Sequence, residues 1–215
     1  MTPARLVQLL CEEEIKLIDN LFFAQDAKRM TVAFTAPERA SGCSWLVARI
    51  AQRLAARVDG SVCAVDANLH WPSLHSVFGV QNEQGLVQAA MHPDQPVRNF
   101  AVRILDSNLW VIPSGGPFSD STAILSSDEM KSRMAELARE FDYVLIDTPA
   151  MKPCGDSSAI GRMTDGMVLV IAADASKRDI AINTKTLLDS ANIPILGAVL
   201  NRRTFPIPDK IYRYL

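Results

Sequence analysis

The loop at residues 35–44 carries the residue types best suited to chemistry in this chain. It follows Met30–Phe34, an apolar and β-branched run typical of a strand, and precedes apolar residues at helical spacing, at positions 46, 50, 54 and 58. A strand, a tight loop and a helix N-terminus form a phosphate cradle, because free backbone N–H groups and the helix dipole point at the anion. Phosphate loops end in Gly-Lys-Ser/Thr, whereas this loop ends in Gly42-Cys43-Ser44. The sequence therefore predicts a phosphate-binding scaffold that lacks its lysine.

Two aspartates that follow apolar runs are the candidate catalytic residues. Asp66 ends the run at 61–66, and Asp147 ends the run at 143–147. If both runs are parallel strands, their carboxyl ends meet at the sheet edge where ligands bind. Mg²⁺ prefers carboxylate, hydroxyl and phosphate oxygens, which predicts a metal site formed by Ser44, Asp66 and Asp147. The alternative is that each aspartate only caps the turn after its strand.

Other residues of the loop differ from an ordinary phosphate loop. Glu38 places a negative charge near a bound phosphate, and Ala40 stands where such loops use glycine for close backbone approach. Arg39 is a candidate to compensate that charge. Cys43 has two interpretations. It is either a reactive thiol whose pKa is lowered at a helix N-terminus, or a small apolar residue. The sequence shows no neighbouring thiol or histidine, which favours the second interpretation.

Apolar runs alternate with amphipathic segments along most of the chain. The runs predict strands at 30–34, 61–66, 109–113, 143–147, 167–172 and 195–200. Predicted helices cover about 3–26, 46–58, 85–91, 130–141 and 180–188. This alternation predicts an α/β fold with a mostly parallel central sheet flanked by helices.

Composition limits the classes of function. With 215 residues and 48% hydrophobic content, the chain is expected to form a single domain, with an N-terminal helix at 1–28, a core at 29–201 and a tail at 202–215. A net charge of −2 gives no electrostatic basis for binding nucleic acid. No signal peptide or apolar run of membrane-spanning length is evident, and the four cysteines are scattered, so we expect a cytoplasmic protein with reduced thiols.

Four further segments make the chain resemble the cytoplasmic kinase domain of bacterial tyrosine kinases (BY-kinases) of capsule and exopolysaccharide export. These belong to the MinD/ParA-like branch of P-loop NTPases. Val65–His75 resembles the family's second acidic motif, and Ile112–Pro117 with Phe141–Pro149 resembles its Walker B region. Leu200–Arg203 resembles the segment that reaches the adenine. The resemblance covers the chain from about Glu12 to its C-terminus and implies a P-loop NTPase fold.

The resemblance also assigns roles to single residues. It implies that Ser44, Asp66 and Asp147 hold Mg²⁺ and that Asn201 meets the base of ATP or ADP. It places the family's catalytic lysine at Cys43, so that role is empty. The predicted nucleotide-binding set combines the end of the loop with the last strand: Ala40, Ser41, Gly42, Cys43, Ser44, Trp45, Asn201 and Arg202.

Three functions are consistent with these residues. The first is a catalytically impaired regulator of exopolysaccharide synthesis or export, because phosphoryl transfer depends on positive charge around the phosphates. The second is an active tyrosine autokinase or ATPase whose missing charge comes from Arg39, Lys28 or Arg202 of the same or a neighbouring subunit. The family's C-terminal tyrosine cluster is reduced here to Tyr212 and Tyr214, for which a packing role is an equal alternative. The third is a MinD/ParA-like ATPase switch.

The resemblance implies partners as well. A membrane-embedded polysaccharide co-polymerase would bind the chain in trans and recruit it to the inner face of the membrane. The resemblance also implies self-association. The family's oligomerising helix carries a glutamate and two arginines at three-residue spacing; here Glu13 matches the glutamate, and Lys16 and Asp19 stand where the arginines would be.

Overall fold

The computed structural model describes residues 13–23, 30–116, 118, 120–151, 155–173 and 175–202. The strands are β1 (Met30–Thr35), β2 (Val62–Asp66), β3 (Val102–Arg103), β4 (Leu109–Ile112), β5 (Tyr143–Asp147), β6 (Gly166–Ala172) and β7 (Ile195–Asn201). Helix α1 covers 13–23, and its last turn, Asp19–Phe23, is a π-helix. The other helices are α2 (Cys43–Ala55), α3 (Leu74–Phe78), α4 (Leu86–Met91), α5 (Ser121–Leu125), α6 (Asp128–Glu140), α7 (Asp156–Gly161) and α8 (Arg178–Ser190), with a 3₁₀ turn at Val97–Phe100.

The sheet has seven strands in the order β3-β4-β2-β5-β1-β6-β7, and only the β3–β4 pair is antiparallel. All six predicted strands are present. The short edge strand β3 and helices α3, α5 and α7 were not predicted. Among the described residues, no helix is both long enough and apolar enough to span a bilayer.

Helices cover both faces of the sheet, as the alternation predicted. The side chains of α1, α2 and α3 pack in one apolar cluster, and those of α4 to α8 pack in another. Residues of β1 alternate between them, since Val32 and Phe34 belong to the first cluster and Ala33 to the second. Both faces of the central strands are therefore buried, which explains their continuous apolar sequences.

Several predictions concern residues outside the described ranges. They are the ends of the predicted N-terminal helix, Lys28, both C-terminal tyrosines and most of the tail at 202–215. The predicted domain boundaries remain predictions for the same reason.

Candidate functional site

The loop between β1 and α2 is built on two left-handed residues. Ala40 has φ 61° and Gly42 has φ 80°. Ala40 adopts this conformation against the preference of an L-residue with a Cβ atom. A Cβ on Gly42 would lie 2.6 Å from Nδ2 of Asn201, so glycine is required there by close approach as well as by φ.

Helix α2 begins directly after this loop and opens its N-terminus toward it. The N–H of Leu46 donates to the Gly42 carbonyl (3.0 Å) in the first turn. The N–H groups of Cys43, Ser44 and Trp45 precede that bond and have no acceptor within the helix. This arrangement supplies the donors and the dipole that a phosphate needs.

The last strand braces the loop from the side. Nδ2 of Asn201 donates to the Ser41 carbonyl (2.8 Å), and the Ser41 hydroxyl donates to the Glu38 carbonyl (2.7 Å). Asn201 therefore contacts the predicted phosphate loop through its backbone. Its predicted contact with a base remains a prediction.

A cleft of ≈ 550 Å³ opens above the loop. It contains every residue of the predicted nucleotide-binding set except Asn201. The remaining lining residues come from the ends of neighbouring strands and from α3: Ala36, Glu38, Arg39, Asn68, Trp71, Ser73, Val77, Thr148 and Ala150. The segment after β2 was named in the predicted acidic motif, but nothing in its spacing shows that Trp71 faces the cleft.

The two candidate catalytic aspartates meet beneath this cleft. Asp66 and Asp147 are partners in the parallel register of β2 and β5, and both are 0% exposed. The predicted convergence of the two strand ends is present in the structure. Neither aspartate lines the cleft. Cys43 and Ser44 do line it, and both lie beside Asp147, so these two loop residues separate the carboxylates from a ligand in the cleft.

Asp66 is satisfied by the segment that follows its strand. One carboxylate oxygen accepts from the N–H of Asn68 (3.1 Å), and the other accepts from the N–H groups of Ser73 and Leu74 (both 2.9 Å). This is the turn-capping role considered as the alternative. Burial raises the pKa of Asp66 to about 6, and these three backbone hydrogen bonds oppose the rise.

Asp147 lacks such partners. Among the described residues, neither of its carboxylate oxygens makes a hydrogen bond of normal geometry. Its pKa is raised to about 8, mainly by burial and further by the Asp66 carboxylate, while the nearby Ser44 hydroxyl and Cys43 thiol partly offset the rise. A buried carboxylate with unused oxygens is a position that a cation or a proton would stabilise.

The Cys43 thiol is held in its neutral form. Burial raises its pKa well above the ordinary value, and the Asp147 carboxylate raises it further. A thiolate is the reactive form of cysteine, so the structure favours a small, unreactive residue at this position.

A second polar cluster holds the segment between β2 and α3. The buried Asp156 carboxylate accepts from the hydroxyls of Ser121 (2.6 Å) and Thr122 (2.7 Å), and it lies 3.0 Å from Nε2 of His70. The Ser121 hydroxyl is also 2.8 Å from that ring nitrogen. Sequence reasoning missed this cluster, because its members come from three separate segments without a shared motif.

The donor set suits Mg²⁺ bound together with a phosphate. The described residues contain no group of three or more His, Cys, Asp or Glu side chains that could hold a metal ion. Asp147 offers unused oxygens and Ser44 a hydroxyl beside them, with Asp66 adding charge. Such a site fits an ion that takes its remaining ligands from phosphate and water.

Comparisons with known proteins agree with this geometry. The chain is 28% identical over 184 residues to the tyrosine-protein kinase YwqD of Bacillus subtilis, covering 85% of this chain and 76% of the relative. It is 26% identical over 196 residues to the putative tyrosine-protein kinase CapB of Staphylococcus aureus, and the match covers 91% of this chain and 85% of that relative. These relatives confirm the resemblance to BY-kinases.

Solved structures confirm the fold. The chimerical protein CapA2B2 superposes with a TM-score of 0.83 at 22% identity, covering 90% of this chain and 85% of that one. The septum site-determining protein MinD of Pyrococcus horikoshii, complexed with Mg-ADP, superposes with a TM-score of 0.66 at 20% identity. The superposition covers 86% of this chain and 76% of that one. The fold is that of the P-loop NTPases.

A family model covers most of the core, including the second half of the loop, β2 and β5. The model described as "Cellulose biosynthesis protein BcsQ" matches residues 39–195, more than half of the chain. The chain therefore belongs to the BcsQ family of P-loop NTPase-like proteins and is related to the bacterial tyrosine kinases.

Proposed function

We propose that this protein is a cytoplasmic regulator of exopolysaccharide synthesis or export that binds nucleotide but transfers phosphate poorly. The observation that carries the proposal is Cys43, a neutral thiol beside Asp147 at the position of the family's catalytic lysine. Phosphoryl transfer depends on positioning and on positive charge around the phosphates. Loss of one preorganised electrostatic group typically lowers the rate by roughly 100- to 1000-fold.

Nucleotide binding relies on the parts of the site that are intact. The N–H groups at the start of α2 would hold phosphates of ATP or ADP. Ser44 and Asp147 would hold Mg²⁺, with Asp66 beside them. When bound, this ion supplies positive charge to the phosphate oxygens.

The cellular role rests on the relatives. The family model is named for cellulose biosynthesis, and cellulose is an exopolysaccharide. By resemblance to the relatives, we propose that a membrane-embedded polysaccharide co-polymerase recruits the chain to the inner face of the membrane. Self-association is a further possibility.

Activity assays test the catalytic part of this proposal. Purified protein with ATP and Mg²⁺ is expected to form no phosphotyrosine and to release negligible phosphate. Cys43→Lys should tighten ATP binding and raise hydrolysis, because it restores the missing charge. Cys43→Ala is the matched control, since it removes the thiol without adding a charge, and it should leave both quantities unchanged.

The second candidate is an active tyrosine autokinase. Arg39 and Arg202 both line the cleft, so positive charge is available near a bound phosphate. Clear phosphate release by the unmodified chain that is lost in Asp147→Asn would establish this candidate and overturn the proposed impairment.

A further inference from the structure

The mouth of the cleft carries the positive charge that the loop lacks. Of the charged residues lining it, Arg39 and Arg202 are cationic and Glu38 is acidic. No carboxylate in the described part of the chain forms an ion pair with either arginine. Both guanidinium groups are therefore available to an anionic ligand.

Arg202 is placed against the start of α2 by its backbone. It follows β7 directly and has φ 57°, a left-handed conformation that non-glycine residues rarely adopt. Its Nε lies 3.4 Å from the point that a Cβ on Gly42 would occupy. The neighbouring bond from Asn201 to the Ser41 carbonyl fixes this end of β7 to the loop. An observed backbone outlier of this kind at a cleft is a reason to look for function.

Arg39 is positioned by an aromatic ring across the cleft. Its guanidinium carbon lies 3.5 Å from the ring centroid of Trp71, a cation–π contact between the phosphate loop and the segment after β2. Trp71 is 42% exposed, so the stacked guanidinium remains open to solvent and to a ligand. The contact restricts where Arg39 can point.

An independent observation indicates a ligand at this helix end. Asp147 is fully buried, and among the described residues neither of its carboxylate oxygens accepts a hydrogen bond of normal geometry, although the Ser44 hydroxyl and the Cys43 thiol lie close to it. A cation there and an anion above it would satisfy both the carboxylate and the open N–H groups of α2, a helix of 13 residues.

We infer that Arg202, assisted by Arg39, binds the phosphates of a nucleoside di- or triphosphate and supplies positive charge that the absent loop lysine does not. The inference rests on the proposed binding of Mg-nucleotide in this cleft. A guanidinium can contact phosphate oxygens through two parallel N–H groups, which a lysine cannot. The arginines approach from the mouth of the cleft rather than from within the loop. They therefore strengthen binding without restoring the lysine's contact during transfer.

Calorimetric titrations of the full chain with Mg-ADP and with adenosine test this inference. Arg202→Gln should raise the Kd for Mg-ADP about tenfold, the effect of losing one charge-assisted hydrogen bond. Arg39→Gln should raise it by about two- to fivefold, because its side chain is exposed. Binding of adenosine, which has no phosphate, should not change in either variant.

Arg162→Gln is the matched control, because Arg162 is an exposed arginine that lines a different groove. Thermal unfolding should be the same for all variants without ligand. Unchanged Mg-ADP affinity in both cleft variants, with normal binding by the unmodified chain, would overturn the inference alone. A chain that binds neither Mg-ADP nor Mg-ATP would overturn the proposed function and the inference with it.

Discussion

Asp66 and Asp147 show how two identical residues at equal depth acquire different properties. Both end parallel strands that pair in register, and both are inaccessible to solvent. Backbone N–H groups of residues 68, 73 and 74 satisfy Asp66, whereas Asp147 has the Ser44 hydroxyl and the Cys43 thiol nearby but accepts no hydrogen bond of normal geometry among the described residues. Asp66 therefore stabilises its own loop, and Asp147 holds unused binding capacity at a cost to stability.

The raised pKa of Asp147 predicts that the ligand-free protein becomes less stable as pH rises. In the unfolded chain the carboxyl releases its proton near its ordinary pKa of 3.8, and in the folded chain near 8. Between these values the folded state binds more protons, so the free energy of unfolding contributed by this group falls with rising pH. Asp147→Asn should raise the free energy of unfolding at pH 8 by about 1 to 3 kcal/mol.

Urea unfolding between pH 5 and pH 8 measures this effect. The stability gain from Asp147→Asn should be smaller at pH 5, where the native carboxyl is protonated. Saturating Mg²⁺ with ADP should stabilise the unmodified chain at pH 8 and have little effect on the variant. A variant that is less stable than the unmodified chain at both pH values would contradict the assignment of an unsatisfied carboxylate.

At the scale of elements, the segment between β2 and α3 is fixed at both ends. Asp66 accepts hydrogen bonds from its backbone, and the His70 ring contacts Asp156 at the start of α7. Because Asn68 and Trp71 lie on this segment and line the cleft, its position determines the shape of the site.

Asp156→Ala should destabilise the protein by about 2 kcal/mol, because it leaves the buried hydroxyl of Ser121 and the more exposed hydroxyl of Thr122 without their carboxylate acceptor. It should also weaken Mg-ADP binding, since His70 loses its anchor. Chemical denaturation and calorimetry measure the two effects. The control is Asp189→Ala, which removes an exposed helical ion pair with Lys185 and should cost less than about 0.5 kcal/mol. Equal effects of the two variants would refute a structural role for the Asp156 cluster.

The elements that the sequence predicted best are those with a sustained apolar pattern. The central strands have both faces covered and the edge strand β7 is partly exposed, but all six predicted apolar runs are strands. Strand β3 has two residues, both exposed, and gives no such signal. Helices of five or six residues span less than two turns and show little periodicity, and of the four such helices among the described residues only α4 was predicted.

The site was predictable where it depends on strand ends and on the loop after β1, whose predicted residues line the cleft. Parallel pairing brings Asp66 and Asp147 together, and that follows from the position of each at the end of an apolar run. The Arg39–Trp71 contact depends on side-chain direction, which spacing does not encode. The same is true of the contact between Cys43 and Asp147.

At the scale of the whole molecule, the rim of the cleft is unusually aromatic. Trp45 is 47% exposed and Trp71 is 42% exposed, and both line the cleft. The third candidate function, a MinD/ParA-like switch, requires an association equilibrium that nucleotide shifts. A ligand shifts such an equilibrium only through a difference in affinity between the two states.

We expect the molar mass to be the same with Mg-ATP and with Mg-ADP. The neutral Cys43 removes the principal contact by which the loop would distinguish the third phosphate. Multi-angle light scattering at several protein concentrations measures the mass directly. A change from monomer to dimer that requires ATP would favour the switch and argue against the proposed regulator. Cys43→Lys is the informative comparison, because it restores the charge in the same scaffold.

The bond between Asn201 and Ser41 joins residues 160 positions apart in the chain. The loop is synthesised well before Asn201, the residue whose side chain holds it in place. A nascent chain therefore carries an incomplete cleft until β7 has docked beside β6. We therefore expect nucleotide binding only in molecules in which β7 has been synthesised and has paired with β6.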